Sequence, residues 1–156
     1  MTLNIRAASA DDAEAVGRLA EQFADYLRSL GDTTDFKLNA QTYLRDGFGT
    51  NPAFSGLVAE QDGNIVGYLL YHFGYDTDNA ARILHVVDLY VNETARRKGA
   101  GKALMSAAAR LCRDAGGMDL FWSVYVHNKV AASFYESLGA RYTRDLLFMA
   151  IESDAL

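Results

Sequence analysis

The segment LNIRAAS, residues 3–9, alternates apolar and polar positions as a short strand does, and Ser9 followed by Asp12 has the spacing of a helix-capping pair. Val16, Leu19, Ala20, Phe23, Leu27 and Leu30 then recur at helical spacing, and Gly31 offers a left-handed stop. A shorter helical stretch runs from Gln41 to Arg45 and ends at Gly47 and Gly49. NPAFSGLVAE leads through QDGN into IVGYLLYHF, two β-rich runs about a tight turn that predict an antiparallel hairpin. RILHVVDLYV, residues 82–91, is too apolar and β-branched for a surface strand and is expected at the centre of a sheet. Leu104, Ala108 and Leu111 form a helical stripe that closes at Gly116 and Gly117. DLFWSVYV predicts another buried strand. Asn128 is placed to cap a helix carrying Val130, Phe134 and Leu138, which Gly139 ends, and RYTRDLLFMAI predicts a closing strand. The order is strand, two helices, three strands, helix, strand, helix, strand, which predicts a mixed α/β sheet.

Composition narrows the picture. The chain has 156 residues, half of them hydrophobic, and no repeat, linker or low-complexity segment divides it, so residues 1–156 are expected to form one domain. Fifteen Lys and Arg against 20 Asp and Glu leave a net charge of -5, which disfavours a nucleic-acid binder and mildly favours a cationic small molecule. Cys112 is the only cysteine, so no intramolecular disulfide is available and a reducing, cytoplasmic location is the simpler expectation. No stretch has the apolar length that a signal core or a bilayer span needs.

The chemistry concentrates in RRKGAGKAL, residues 96–104, between the apolar strand and the next helix. A strand, a Gly-rich turn and a helix present backbone N–H groups and a positive dipole end to an anion such as phosphate. Arg96, Arg97 and Lys98 add charge at the rim, while Gly99 and Gly101 are expected to allow close backbone approach and positive φ. A nucleotide P-loop is excluded, because Ala95 or Arg96 stands at the upstream glycine and Ala103 replaces the magnesium-binding hydroxyl. A dinucleotide fingerprint fails too, with Leu104 at its third glycine.

What remains is Arg-x-x-Gly-x-Gly at Arg96, Gly99 and Gly101. With VVDLYVNETARRKGAGKALM ahead of and through it, the chain resembles the GNAT acetyltransferase superfamily. The downstream block FWSVYVHNKVAASFYESLGA is similar to that family's next strand and helix, with Asn at the helix start and Phe-Tyr near its end. The block is most similar to the diamine and polyamine acetyltransferases. The resemblance implies a central mixed sheet of six to seven strands flanked by about four helices, acetyl-CoA as co-substrate and no metal.

It also implies roles. Backbone amides at Leu89, Tyr90 and Val91 would hold the pantetheine arm and the thioester oxygen. The amides of Arg97, Lys98, Gly99, Ala100, Gly101 and Lys102 would bind pyrophosphate, with Arg96 as a neighbouring cation, and Asn128 would touch the coenzyme while capping its helix. Tyr135 is the candidate general acid, since a phenol of ordinary pKa about 10 can protonate a departing thiolate. Asp88 matches an acidic position of the polyamine branch and is the first candidate for amine recognition and proton removal. Val87 stands where that branch carries a second carboxylate. His85, His127, Tyr90 and Glu93 remain alternatives for the base. Tyr26, Asp25 and Glu21 are candidates to border the acceptor pocket. Asp11, Asp12 and Glu14 suit the first helix's dipole without needing a ligand, Cys112 is expected to be an inert buried thiol, and Phe121 and Trp122 are expected in the core.

The reading is an acetyl-CoA-dependent N-acetyltransferase acting on a primary amine of a small metabolite by direct attack on the thioester. A non-catalytic acyl-CoA sensor and a peptide or protein N-acetyltransferase are the alternatives. A small-molecule amine is the expected partner, nucleic acid and membrane are not, and a homodimer is left open.

Overall fold

The computed structural model describes residues 2–155, so the two ends of the expected 1–156 domain lie outside it. Five strands form one sheet in the order β1 (Leu3–Ala7), β2 (Ser55–Gln61), β3 (Asn64–Asp76), β4 (Ala81–Val91) and β5 (Gly117–Phe121). The first four are antiparallel neighbours and β5 is parallel to β4. The β2–β3 turn holds Asp62 and Gly63 at φ 51° and 82°, the paired positive values of the tight hairpin turn that QDGN predicts. Four helices accompany the sheet: α1 (Ala13–Ser29), α2 (Ala40–Gly47), α3 (Ala100–Asp114) and α4 (Lys129–Ser137).

The two faces of the sheet carry separate cores. On one, Leu57, Ala59, Leu69, Leu84 and Val86 meet Leu104, Met105 and Ala108 of α3. On the other, Val58, Tyr68, Leu70 and Tyr90 meet Val16, Leu19 and Ala20 of α1 and Tyr43 of α2. The alternation of successive side chains across the sheet explains this division, interrupted at Val66 on β3 and again on β4. Leu70 pairs with Asp88 and Tyr71 with Val86, so Val87 is an extra residue on β4. That bulge reverses the parity of β4: Leu84 and Val86 face α3, whereas Asp88 and Tyr90 turn to the α1 side.

The start of α1 is fixed by charge. Asp12 accepts from the backbone N–H of Ser9 at 2.8 Å and from both Arg6 terminal nitrogens at 2.9 and 2.8 Å. Asp12 is thus satisfied within the chain, by Arg6 as well as by the helix start. Cys112 is buried with Sγ 3.6 Å from the Asp119 carbonyl oxygen, as expected of an inert thiol.

Three further expectations fail. DLFWSVYV is not one long buried strand, since β5 ends at Phe121 and has no fully buried residue. Phe121 stacks on His85 instead of filling the core, and Trp122 packs at the core's margin. RYTRDLLFMAI forms no strand: residues 141–151 are exposed and unpaired, so the sheet has five strands, not six or seven. The α4 stripe is also looser than its spacing suggests, with Val130 68% exposed and no residue of the helix fully buried.

Replacing Arg6 by Met leaves the Asp12 carboxylate, 7% exposed, without its main partner. Loss of about 1–3 kcal/mol of stability is expected by urea denaturation at pH 7. Asp12 is held below its ordinary pKa of 3.8, chiefly by the Arg6 hydrogen bonds. The contribution is therefore present above pH 3.8 and fades as pH falls through the depressed native value, so the difference between the two proteins should shrink in acid.

Candidate active site

Hydrogen bonding between β4 and β5 stops at the His85–Phe121 pair, although β4 continues for six more residues to Val91. The chain after β5 diverges, and the edge of β4 left without a strand neighbour opens into a cavity of about 780 Å³. Its walls are Val86–Val91 on one side and Trp122–Tyr125 on the other. Phe23, Tyr26 and Leu27 of α1 border it, and Tyr135 reaches it from α4. The Val87 bulge turns Asp88 into this space, where Val87 itself is 47% exposed.

One end of the cavity is the first turn of α3. Gly99 is the N-cap at φ 91°, and no side chain caps the helix. By contrast, Asn39 and Asn128 accept from the third amides of α2 and α4. The free N–H groups of a 15-residue helix thus remain available beside Arg97, Ala100, Gly101 and Lys102 on the cavity wall. Arg97 also adopts a left-handed φ of 60°, and the resulting bend makes a concave run of amides suited to an anion. Gly99 serves the expected role. Gly101 does not: it is helical, and a Cβ there would lie 3.1 Å from Cζ of Phe134, so its lack of a side chain admits α4.

Residues 18–140 match the acetyltransferase (GNAT) family. The chain belongs to that family. It is 34% identical to a thialysine N-epsilon-acetyltransferase of Sus scrofa over 145 residues, covering 88% of this chain and 83% of that protein. An uncharacterized N-acetyltransferase of Bacillus subtilis, YhfO, is 31% identical, with 94% of each chain covered. Among solved structures, an integron cassette protein from the mobile metagenome of V. cholerae superposes with a TM-score of 0.81 at 23% identity, over 99% of this chain and 95% of that one; it shows the shared fold. The protein is accordingly an N-acetyltransferase, and GNAT acetyltransferases draw their acetyl group from acetyl-CoA.

Within the GNAT site, two residues have shifted acidities of different kinds. Burial pushes Asp88 up to about 6, while the hydroxyl of Tyr68, donating to its Oδ2 at 2.7 Å, pulls it down. Tyr135 is pushed up to about 12, first by burial and then by the nearby charge of Asp88. At neutral pH the carboxylate is ionised and the phenol retains its proton. Tyr90 lines the cavity too, stacked on Phe23 at 5.1 Å, and burial raises its pKa.

Arg96 and Asn128 line the cavity as well, each with further partners. Arg96 donates from Nε to the Val91 carbonyl at 3.0 Å and lies 5.0 and 5.3 Å from the ring centroids of Tyr26 and Tyr90. Its guanidinium braces the loop against β4 and α1. Asn128 Oδ1 accepts from the Ala131 amide and from the Tyr26 hydroxyl at 2.9 Å, tying α4 to α1. Lys98, His85, His127 and Glu93 do not line the cavity. His85 instead meets His72, Nδ1 to Nε2 at 2.9 Å, and His127 packs on Tyr125. Of the α1 candidates Tyr26 borders the site, whereas Asp25 and Glu21 do not. Sequence reasoning missed Tyr68 and Phe23: Tyr68 meets Asp88 through a register that the Val87 bulge sets, and Phe23 reaches the site from α1.

Removing the Tyr68 hydroxyl takes away a bond that favours the ionised carboxylate. In Tyr68→Phe the Asp88 pKa should therefore rise above 6, read by carboxyl ¹³C chemical shift against pH.

Proposed function

We propose that the chain acetylates a primary amine of a small cationic metabolite with acetyl-CoA, in a direct transfer. The observation that carries this reading is the placement of an uncapped helix start, an unpaired strand edge and the Asp88–Tyr135 pair on the walls of one cavity. The amides from Arg97 to Lys102 hold the coenzyme's pyrophosphate, assisted by helix dipole and local positive charge. The open edge of β4 at Leu89, Tyr90 and Val91 supplies backbone bonds to the pantetheine arm, and one N–H there polarises the thioester oxygen. Asn128 stands at the mouth of the same arm.

An alkylammonium has a pKa near 10 and must shed a proton before it attacks. Asp88 attracts the cation and accepts that proton, directly or through water. The amine nitrogen then bonds to the thioester carbonyl carbon, the carbon–sulfur bond breaks, and Tyr135 gives its proton to the departing thiolate. Asp88 and Tyr135 divide the two proton transfers because their environments hold them in opposite protonation states at neutral pH.

The acceptor class is supported by the net charge of -5, by the anionic Asp88, and by the amines in the names of the thialysine N-epsilon-acetyltransferase and of a spermidine/spermine N(1)-acetyltransferase-like protein of Homo sapiens, 29% identical over 143 residues. We further propose a cytoplasmic enzyme whose residues 1–156 form one domain and that works as a homodimer. The single, buried thiol supports the reducing compartment. No helix among the described residues is long and apolar enough to cross a membrane.

Coenzyme A release, measured with a thiol reagent against a panel of diamines, polyamines and amino acids, tests the function. Turnover on no amine, with acetyl-CoA still bound, would assign the fold to sensing. Tyr135→Phe should lower kcat by about 10²–10⁴-fold with coenzyme affinity retained, and an unchanged rate removes Tyr135 from the mechanism. In the wild type kcat/KM should climb as pH rises through about 6, where Asp88 ionises, and Asp88→Asn should abolish that limb along with most of the rate.

A further inference from the structure

The walls of the cavity hold one negative charge. Of the chain's 20 acidic residues, only Asp88 lines it among the described residues, whereas Arg96, Arg97, Lys102 and Lys129 all do. Arg97 and Lys102 flank the start of α3, and Lys129 opens α4. Arg96 instead reaches the α1 wall, its Cζ 5.0 Å from the ring centroid of Tyr26 and 5.3 Å from that of Tyr90. On that side the rest of the wall is apolar or aromatic. Val87, beside Asp88, is 47% exposed, Phe23 and Tyr90 stack at 5.1 Å, and Leu27 joins them from α1.

An acceptor with two ammonium groups would find a partner for one of them. The second could in principle lie over an aromatic face, but Arg96 already stands over Tyr26 and Tyr90, and Phe23 stacks on Tyr90 as well. It could also seek another carboxylate. Asp25 and Glu93, whose charges reach Tyr90, lie outside the cavity walls, and Asp25 is paired with Arg28 at 3.0 Å. Inside the cavity the second ammonium would lose its water against apolar side chains and meet Arg96 as a like charge. An alkyl chain or a ring in the same place gains from burial.

We propose that the acceptor carries a single cationic centre, the amine to be acetylated, on an alkyl or aromatic body, and that diamines and polyamines are poor ligands. The inference rests on the amine-acetylation reading of the cavity and narrows it. Asp88 takes the ammonium, Val87 and the Phe23 and Tyr90 rings take the body, and Arg96 excludes a second charge.

Equilibrium binding decides it, measured at pH 7 with coenzyme A present for pentylamine, phenethylamine, putrescine and spermidine. The readout is the emission of Trp122, the chain's single tryptophan and part of the cavity wall. Pentylamine and putrescine differ in one methyl exchanged for an ammonium, so their ratio isolates the second charge. Pentylamine should bind about 10–100-fold more tightly than putrescine, and phenethylamine at least as well as pentylamine. Asp88→Asn should weaken both monoamines by about 10-fold or more. Val87→Glu, at a half-exposed position, should cut the pentylamine-to-putrescine ratio by at least about 10-fold. Putrescine or spermidine binding as tightly as the monoamines, monoamines that fail to bind, binding that survives Asp88→Asn, or a ratio unmoved by Val87→Glu each overturns the proposal. The expected order of binding without acetyl transfer to any monoamine upholds the single-charge pocket and removes the acetylation reading instead.

Discussion

Every feature of the site depends on where β4 and β5 stop pairing. A parallel ladder satisfies the backbone groups of both strands, and each residue it covers is one that a ligand cannot bond. Here the ladder ends at His85 and Phe121, leaving the last six residues of β4 with a vacant edge. α3 follows β4 and α4 follows β5, and the two helices meet where Phe134 packs on Gly101. The cavity is therefore a consequence of sheet topology, and its lining is chosen by which residues happen to flank the parting.

The bulge at Val87 makes that backbone opening chemically useful. Without the extra residue, the alternation that sends Leu84 and Val86 toward α3 would carry Asp88 the same way, into an apolar core with no route to a substrate. With it, the carboxylate turns toward Tyr68 and the cavity. A carboxylate in so confined a place is disfavoured as a charge, and the Tyr68 hydroxyl offsets part of that cost. Tyr135, nearby, is driven in the protonated direction by its own burial and by that charge. Both groups are thus held further toward their protonated forms than they would be in water.

The positive end of the cavity follows a similar economy. α2 and α4 have asparagine caps that satisfy their first amides, whereas α3 begins at a left-handed glycine with none. An uncapped start is unfavourable in a bare helix and favourable when an anion completes it. Meanwhile Arg96, which opens the loop motif and also lines the cavity, donates from Nε to Val91 and lies over the rings of Tyr26 and Tyr90. It braces the loop, and the uncapped amides of α3 stay free beside it.

Much of this was legible in the residues alone. Period-two and helical spacings located β1 to β4 and α1 to α3, because each segment buries one face and solvates or buries the other in a repeat set by backbone geometry. QDGN marked the hairpin, since Asp-Gly favours the two-residue turn whose paired positive φ values match the twist of the strands. Arg96, Gly99 and the helix after them marked the loop at one end of the cavity, and Asp88 and Tyr135, also on its walls, stood out by chemistry. Other features needed contacts between distant segments. The bulge is a mismatch between two strands, so nothing in RILHVVDLYV reveals it. Gly101 is small for Phe134, 33 residues away, and Arg96 is held by an aromatic ring of α1. The tail shows the limit most plainly: its apolar pattern specified strand character, but whether a strand forms depends on pairing with a distant edge, and here the tail pairs with none among the described residues.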